Sequence, residues 1–472
     1  MEEEAKLKSE QRRERMLEGN LIVVIASIAV PMMITMWVDS IYNMADAYYV
    51  SQIGPSAIAA VGVNDSLMQI VRSVSMGFGM GSSSFVSRAL GAKRDTEASQ
   101  AAVTTLFSAV GVLTFLAVVA SLNLLPVVNF LGATDTVRPY SMTYARWILL
   151  SAPIAAADTI LSQTLRSEGN TLYSMIGMSA GCVVNIILDP ILINRLGMGI
   201  MGAAIATDIS KLISLCVLLW PFMTKKTVIQ IKPRYFTPTK EIYAEIARMG
   251  LPTMLRSSMM SVSTILINNT AASFGDATMA AIAVANKSMR MVHSGVMGFG
   301  QGFQPVAGYN YGAKNYARVK QAWRYVVTIG ITLAIIIGTA IYFFAPHIVG
   351  AFSENPEVMA IGMLKIRSQC ITLIPHVIVM ISSGLFQAMG KAAKAATLGL
   401  SRQLLVLIPC VLILPRIFGA PGLACCQSTS DSISFFISLA FVIPQFKELG
   451  QLERGEIEAP PVLRTRGARG EA

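Results

Sequence analysis

From Leu21 to Val38 the chain carries no charged residue, and the first acid of this stretch, Asp39, arrives only when most of a membrane-crossing length has passed. Stretches of this kind, uncharged or nearly so and each long enough for a span of about 20 residues, recur to the far end of the sequence. Twelve can be read, centred near residues 33, 68, 110, 152, 182, 210, 258, 291, 335, 374, 406 and 432. The polar segments between them leave no room for a sizeable soluble domain. The pattern predicts an all-α integral membrane protein with twelve transmembrane helices. The opening stretch, MEEEAKLKSEQRRERMLEGN, carries both charge signs and leads into a full-length span, which is unlike a cleavable signal peptide.

The pattern also repeats. MGFGMGSSSFVSRALGAK, from Met76 to Lys93, and MGFGQGFQPVAGYNYGAK, from Met297 to Lys314, match at eight of eighteen positions without a gap, at an offset of 221 residues. The same offset aligns Pro31 with Pro252, Gly54 with Gly275, Val63 with Val284, Arg146 with Arg367 and Gly169 with Gly390. A six-span unit is therefore used twice. An even number of spans returns the chain to its starting side, so the two units share one topology and are expected as pseudo-twofold-related six-helix bundles around a central cavity. The expected division is a tail at 1–19, an N-lobe at 20–224 (spans 1–6), a charged linker at 225–240 containing Pro233 and Pro238, a C-lobe at 241–446 (spans 7–12) and a tail at 447–472. Such a design suits alternating access by a secondary transporter. No P-loop sequence of the GxxxxGK[ST] kind is present, which argues against direct ATP drive. The glycines of MGFGMG and MGFGQG follow an apolar helix rather than a strand, so they read as close helix packing and not as a dinucleotide loop.

Composition agrees with this picture: 53% of residues are hydrophobic and 14% charged, against about 25% charged in soluble domains. A net charge of +11 raises the question of nucleic acid. The basic residues answer it by falling in alternate loops, in the N-terminal tail, beside Arg88, Lys93 and Arg94, between Lys225 and Arg248, between Lys314 and Arg324, at Lys391 and Lys394, and in the C-terminal tail. The opposite loops hold little beyond Arg138, Arg195 and Arg416, so no nucleic-acid partner is expected and both termini should be cytoplasmic. All six cysteines lie in apolar segments with no metal-ligand spacing and read as small buried hydrophobes.

Charge inside a span is costly and marks candidate chemistry. The first half holds Asp39 and Asp46 in span 1, Asp65 in span 2, Asp158 in span 4, Asp189 in span 5 and Asp208 in span 6. At the 221-residue offset Asp46 falls on Ile267, Asp65 on Asn286 and Asp189 on Cys410, and the second half keeps Asp431 in span 12. It holds instead Arg256, Lys287, Arg290, His293, His376 and Arg402, so a carboxylate-based cation site belongs to the first half. Seven residues of helix advance nearly two turns, which puts Asp39 and Asp46 on one stripe about 10.5 Å apart along the axis, with Tyr42 and Asn43 between them. Asn185 and Asp189, four apart, share a face of span 5, and Pro190 loosens the helix just beyond. Carboxylate, amide and hydroxyl oxygens are hard ligands for a small cation, and the same carboxylates can carry a proton. The bland alternative is that each acid only hydrogen-bonds a neighbouring helix. Pro31 reads as a static kink or as a bending point of span 1. The methionines between Met254 and Met297, Met260 and Met289 among them, read as packing or as a flexible surface for varied apolar ligands.

NMADAYYVSQIG in span 1, VVNIILDPILI in span 5, GAAIATDIS in span 6 and GFGQGFQPVAGYNYGAK closing span 8 together resemble the MATE (multidrug and toxic compound extrusion) family, within it the bacterial DinF/MepA-like branch. The resemblance covers all twelve spans. It implies a monomeric, multi-pass protein of the cytoplasmic membrane that exports organic cations or amphipathic drugs, driven by inward flow of H+ or Na+, with no enzymatic activity and no cofactor beyond the coupling ion. By the resemblance, Asp46 matches the family's span 1 carboxylate, Asn185 and Asp189 its span 5 pair, Thr207 a span 6 hydroxyl, Tyr144 a nearby span 4 aromatic and Pro31 the proline where span 1 bends. For a sodium ion the ligands would be Asp46, Asn185, Asp189 and Thr207. The span 7 acid of the NorM-like branch has no match; Asn268 and Asn269 occupy that region. Those two, with Asp39, Tyr42, Asn43, Met260 and Met289, are candidates for substrate contact or proton relay. The rival reading is a flippase of lipid-linked precursors with a related helical plan, for which the basic residues of span 8 speak.

Overall fold

A computed structural model of the chain describes residues 10–11 and 13–458; parts of the expected tails, 1–9, 12 and 459–472, lie outside these residues. Among the described residues the structure is helical, without strands. The first half contains α1 (Leu21–Ser51), α2 (Pro55–Gly91), α3 (Asp95–Leu122), the short α4 (Leu124–Phe130), α5 (Arg138–Ser167), α6 (Thr171–Asp189) and α7 (Gly199–Met223). The second contains α8 (Lys240–Ser273), α9 (Asp276–Gly312), α10 (Tyr316–Gly350), α11 (Pro356–Ile371), α12 (Leu373–Ala388), α13 (Ala392–Leu400) and α14 (Ile408–Glu453). Two π turns interrupt this order, Pro190–Arg195 after α6 and Ser401–Leu407 after α13.

The twelve expected spans correspond to twelve long helical legs. Seven continuous helical runs are both long and apolar enough to cross a membrane, and α11 with α12, bent by 51° at their junction, makes an eighth. The seventh run, from Ala392 to Glu453, holds two legs, because Gly419 takes a φ of 64° between Pro415 and Pro421. α2, α8 and α9 have the length, at 37, 34 and 37 residues, but carry more polar side chains. Gly54 and Gly275, 221 residues apart, end the loops before α2 and α9 with φ of 137° and 100°, a conformation that a side chain would strain.

The described chain packs into two compact units, one built on Ile34–Gly250, the other on Met16–Met33 and the described residues from Leu251 to 458. The partition thus changes hands inside α1, just after Pro31, and inside α8, just before Pro252. Both helices run unbroken through their prolines, as a membrane helix can when its neighbours satisfy the freed carbonyl. The glycines of the repeated motif hold the exchanged helix ends. In unit 1 a Cβ at Gly81 would stand 2.5 Å from the Ile246 carbonyl oxygen, and one at Gly250 2.3 Å from that of Gly77. In unit 2 a Cβ at Gly302 would stand 2.4 Å from Ala29 Cα, and one at Gly298 2.8 Å from Met33 Cα. Lipid tails are as apolar as leucine, so helix association in a membrane relies on this kind of backbone approach.

Polar contacts reinforce each end. Arg88, in the last turn of α2, pairs with Glu245 of α8 at 2.5 Å, with both side chains buried. In unit 2 Asn310 donates to the Met16 carbonyl at 3.2 Å, and Arg318 donates to that of Gly19. Unit 2 has an apolar core that includes Ile282, Met289, Val349, Ile366, Leu407 and Leu423.

Candidate functional site

Every fourth residue along the inner face of α6 is buried: Gly177, Gly181, Asn185 and Asp189. Steps of four trace a single ridge on a helix, and its first two members have no side chain. A Cβ at Gly177 would stand 2.5 Å from Leu218 Cδ2, and one at Gly181 2.9 Å from the Ser210 carbonyl oxygen, so α7 lies against the α6 backbone there. At the other end Gly202 brings α7 onto the π turn, where its Cβ would stand 2.8 Å from the Leu192 carbonyl carbon. Held at both ends, the two helices bring Asn185, Asp189 and Thr207 together.

Asp189 is fully buried and Asn185 is 1% exposed. A carboxylate beside an amide calls for the amide nitrogen; in that orientation Asn185 donates to Asp189 Oδ2 at 2.9 Å and accepts from the Thr207 N–H at 3.2 Å. Thr207 Oγ1 donates to the Ala203 carbonyl at 3.1 Å. The acid is the last residue of α6, followed by Pro190, which has no N–H to continue the ladder, and the chain widens into a π turn. Such turns concentrate at functional sites.

Tyr42 of α1 and Tyr144 of α5 complete the cluster, at 9% and 2% exposure. Tyr42 is hydrogen-bonded to Thr207 and lies within electrostatic reach of Asp46 and Asp39. Tyr144 lies within reach of Asp46, Tyr42, Asp65 and Asp189, and the two acids Asp46 and Asp189 act on each other. Asp46 Oδ1 and Asp189 Oδ1 are both buried without a hydrogen-bond partner among the described residues. An unpaired buried charge costs several kcal/mol, and two such carboxylates also repel. The arrangement therefore favours taking up positive charge.

The structure places the other sequence candidates as follows. Asp39 is half-buried on α1, and Asn43, exposed, donates to its backbone carbonyl at 2.6 Å. Asn268 and Asn269 are exposed on α8, as is Met260 at 61%. Met289 differs: at 1% exposure it is a core residue of unit 2, packed on all sides and without a face for a ligand. Asp158, read among the intramembrane acids, accepts from Ser214 Oγ and stands 3.9 Å from Lys211, a bond between α5 and α7. Sequence reasoning missed Asn64, fully buried beside Asp65, which donates to Ala60 O at 2.9 Å, Ser141 O at 3.1 Å and Ser141 Oγ at 2.8 Å and so pins α2 to α5. A polar Asn next to an intramembrane Asp was its available signal. Among the described residues no group of three or more His, Cys, Asp or Glu side chains is placed to hold a metal ion.

A duplicated, all-helical membrane chain with a buried polar cluster in one half has the architecture of a membrane transporter. The profile of the MatE family matches residues 31–191 and again 252–412, the same 221-residue step, and the chain belongs to the MatE family. The multidrug export protein MepA of Staphylococcus saprophyticus is 26% identical over 417 residues, covering 88% of this chain and 92% of that protein. A MATE family transporter of the MOP superfamily, solved in an outward-facing conformation, is 27% identical with a TM-score of 0.86, over 93% of this chain and 98% of that one. A MOP superfamily transporter from Pyrococcus furiosus, whose reverse binding-pocket polarity suggests a different function for it, is 28% identical with a TM-score of 0.84, over 92% and 98%.

Proposed function

We propose that this protein exports organic cations and other amphipathic compounds across the cytoplasmic membrane by alternating access, in antiport with an inward-moving cation, both termini being cytoplasmic. The cargo class follows the names of its relatives, a multidrug export protein and a MATE family transporter. The coupling reading is carried by one observation: Asp46 Oδ1 and Asp189 Oδ1 are buried within one polar cluster, without partners among the described residues. A cation taken up there offsets the repulsion between α1 and α6, and its release restores it, so the setting of α1 depends on occupancy. Moving one charge through 100 mV supplies about 2.3 kcal/mol, enough for a gradient of nearly fifty-fold. The coupling ion is H+ or Na+: an Asn185 amide that presents nitrogen to Asp189 Oδ2 leaves the other carboxylate oxygen for a proton, and one that presents oxygen there adds a hard ligand for sodium.

Purified protein in liposomes, with imposed pH or sodium gradients and ethidium as cargo, tests this. Wild type should move the dye against its gradient, and Asp46→Asn and Asp189→Asn should each abolish gradient-driven movement. Wild-type rates in both variants would show the coupling assignment to be wrong, and movement of lipid pyrophosphates in place of ethidium would establish a flippase.

A further inference from the structure

Within unit 2 the intramembrane charges are mostly positive, and Arg256 is among those that form no ion pair with the described residues. Arg256 of α8, His293 of α9, His376 of α12, Arg402 of the second π turn and Asp431 of α14 form one cluster. Asp431, 2% exposed, lies within its helix, whereas the other described helical acids from Leu251 onward, Asp276, Glu357, Glu448 and Glu453, lie toward helix ends. Its Oδ1 takes Arg402 Nε at 2.5 Å, with His376 Nδ1 at 3.5 Å from the same oxygen. Ser430 Oγ donates to the Arg402 carbonyl at 2.7 Å, and His293 stacks edge-on against His376 with ring centres 5.0 Å apart. The acid is thus committed to Arg402.

Arg256 lies close enough to Arg402 for the two guanidinium groups to repel. Among the described residues it makes no hydrogen bond and no ion pair. Its stem crosses α13 at Gly399, where a Cβ would stand 3.2 Å from Arg256 Cδ, so the glycine clears the path that the arginine takes. Two guanidinium groups thus stand in a cluster with one carboxylate. Lys365, 2% exposed and within electrostatic reach of His293, adds further positive charge. A guanidinium presents five donors in a planar fork that fits carboxylate and phosphate.

We infer that Arg256 anchors an anion-recognition site inside unit 2, which takes the carboxylate or phosphate group of an amphipathic ligand, with Arg402 adding to its field. Resting on the export reading above, this places recognition of the anionic group of an amphipathic cargo within unit 2. The same chemistry has two sources, an exported amphiphile or the headgroup of an acidic lipid.

The test is equilibrium binding to the purified full chain, followed by fluorescence anisotropy, of rhodamine B and its ethyl ester, which differ in one carboxylate. Wild type should bind the acid about tenfold more tightly than the ester. Arg256→Gln should erase that preference while moving the ester by less than about twofold, which also reports an intact fold. Gly399→Val, which leaves every charge in place but displaces the arginine stem, should erase it as well and supplies the answer if R256Q does not fold. A wild-type ratio near one, or a ratio unchanged in both variants, overturns the inference. Failure of the export reading registers separately, as absent gradient-driven flux with the binding ratio intact. Added short-chain phosphatidylglycerol that competes with rhodamine B in wild type, and not in R256Q, identifies the lipid headgroup as the anion; lack of competition identifies the amphiphile, and either supports the site.

Discussion

The Arg88–Glu245 pair ties the start of α8 to α2, and its removal has a calculable effect. The side chains are 9% and 3% exposed, and the N···O distance is 2.5 Å. Breaking such a pair from one side leaves a buried charge and costs about 3–5 kcal/mol, whereas replacing both partners by apolar groups of similar size is about neutral. Arg88→Met strands Glu245 and should fall at the upper end. Glu245→Leu should fall at the lower end, because Arg88 Nε still donates to the Ser84 carbonyl at 3.0 Å. For a unit of about 200 residues each kcal/mol shifts the thermal midpoint by about 2–4 °C. Each single variant should therefore lose about 6–20 °C in detergent, followed by tryptophan fluorescence, and the double variant should return to within about 5 °C of wild type. Single variants within about 2 °C of wild type, or a double variant that loses the sum of the two, would refute the reasoning.

Two further perturbations address the candidate site. Gly202→Val drives a side chain into the Leu192 carbonyl and should push α7 off the π turn; overpacking of this kind costs about 1–3 kcal/mol, and ion-driven dye flux in liposomes should drop at least tenfold as Thr207 leaves Asn185. Asn64→Leu removes the bonds to Ser141 and should cost about 1–3 kcal/mol, read as a lower thermal midpoint that Asn64→Leu with Ser141→Ala partly recovers.

The contrast between what the sequence foretells and what it hides follows the range of each interaction. Asn185 and Asp189 are legible as neighbours because four residues of helix return to one face, and the structure joins them at 2.9 Å. The glycines of MGFGMG are legible as packing positions, but not their partner, Ile246, which lies far along the chain. Arg88, counted in the sequence among loop charges, sits inside the last turn of α2 because its acid comes from α8, and such a pair leaves no local trace. Helical spacing groups residues on a face without saying what covers it, which is why Met289 and Met260 look alike in sequence and stand at 1% and 61% exposure. Thr207 and Tyr144 enter through family resemblance; spacing alone does not bring either to Asp189.

The exchange of helix ends between the units sets an order of assembly during synthesis. Proteins made from the N-terminus ordinarily complete their first domain first. Here unit 1 lacks its last piece until residue 250 has been made, and residues 16–33, among the earliest to enter the membrane, belong to a unit whose remaining chain begins at Leu251. A segment made long before Leu251 is therefore among the last to find its place. Two half-length chains severed in the 225–240 linker would each carry the other's missing helix end, and would mature only when translated together in the same membrane.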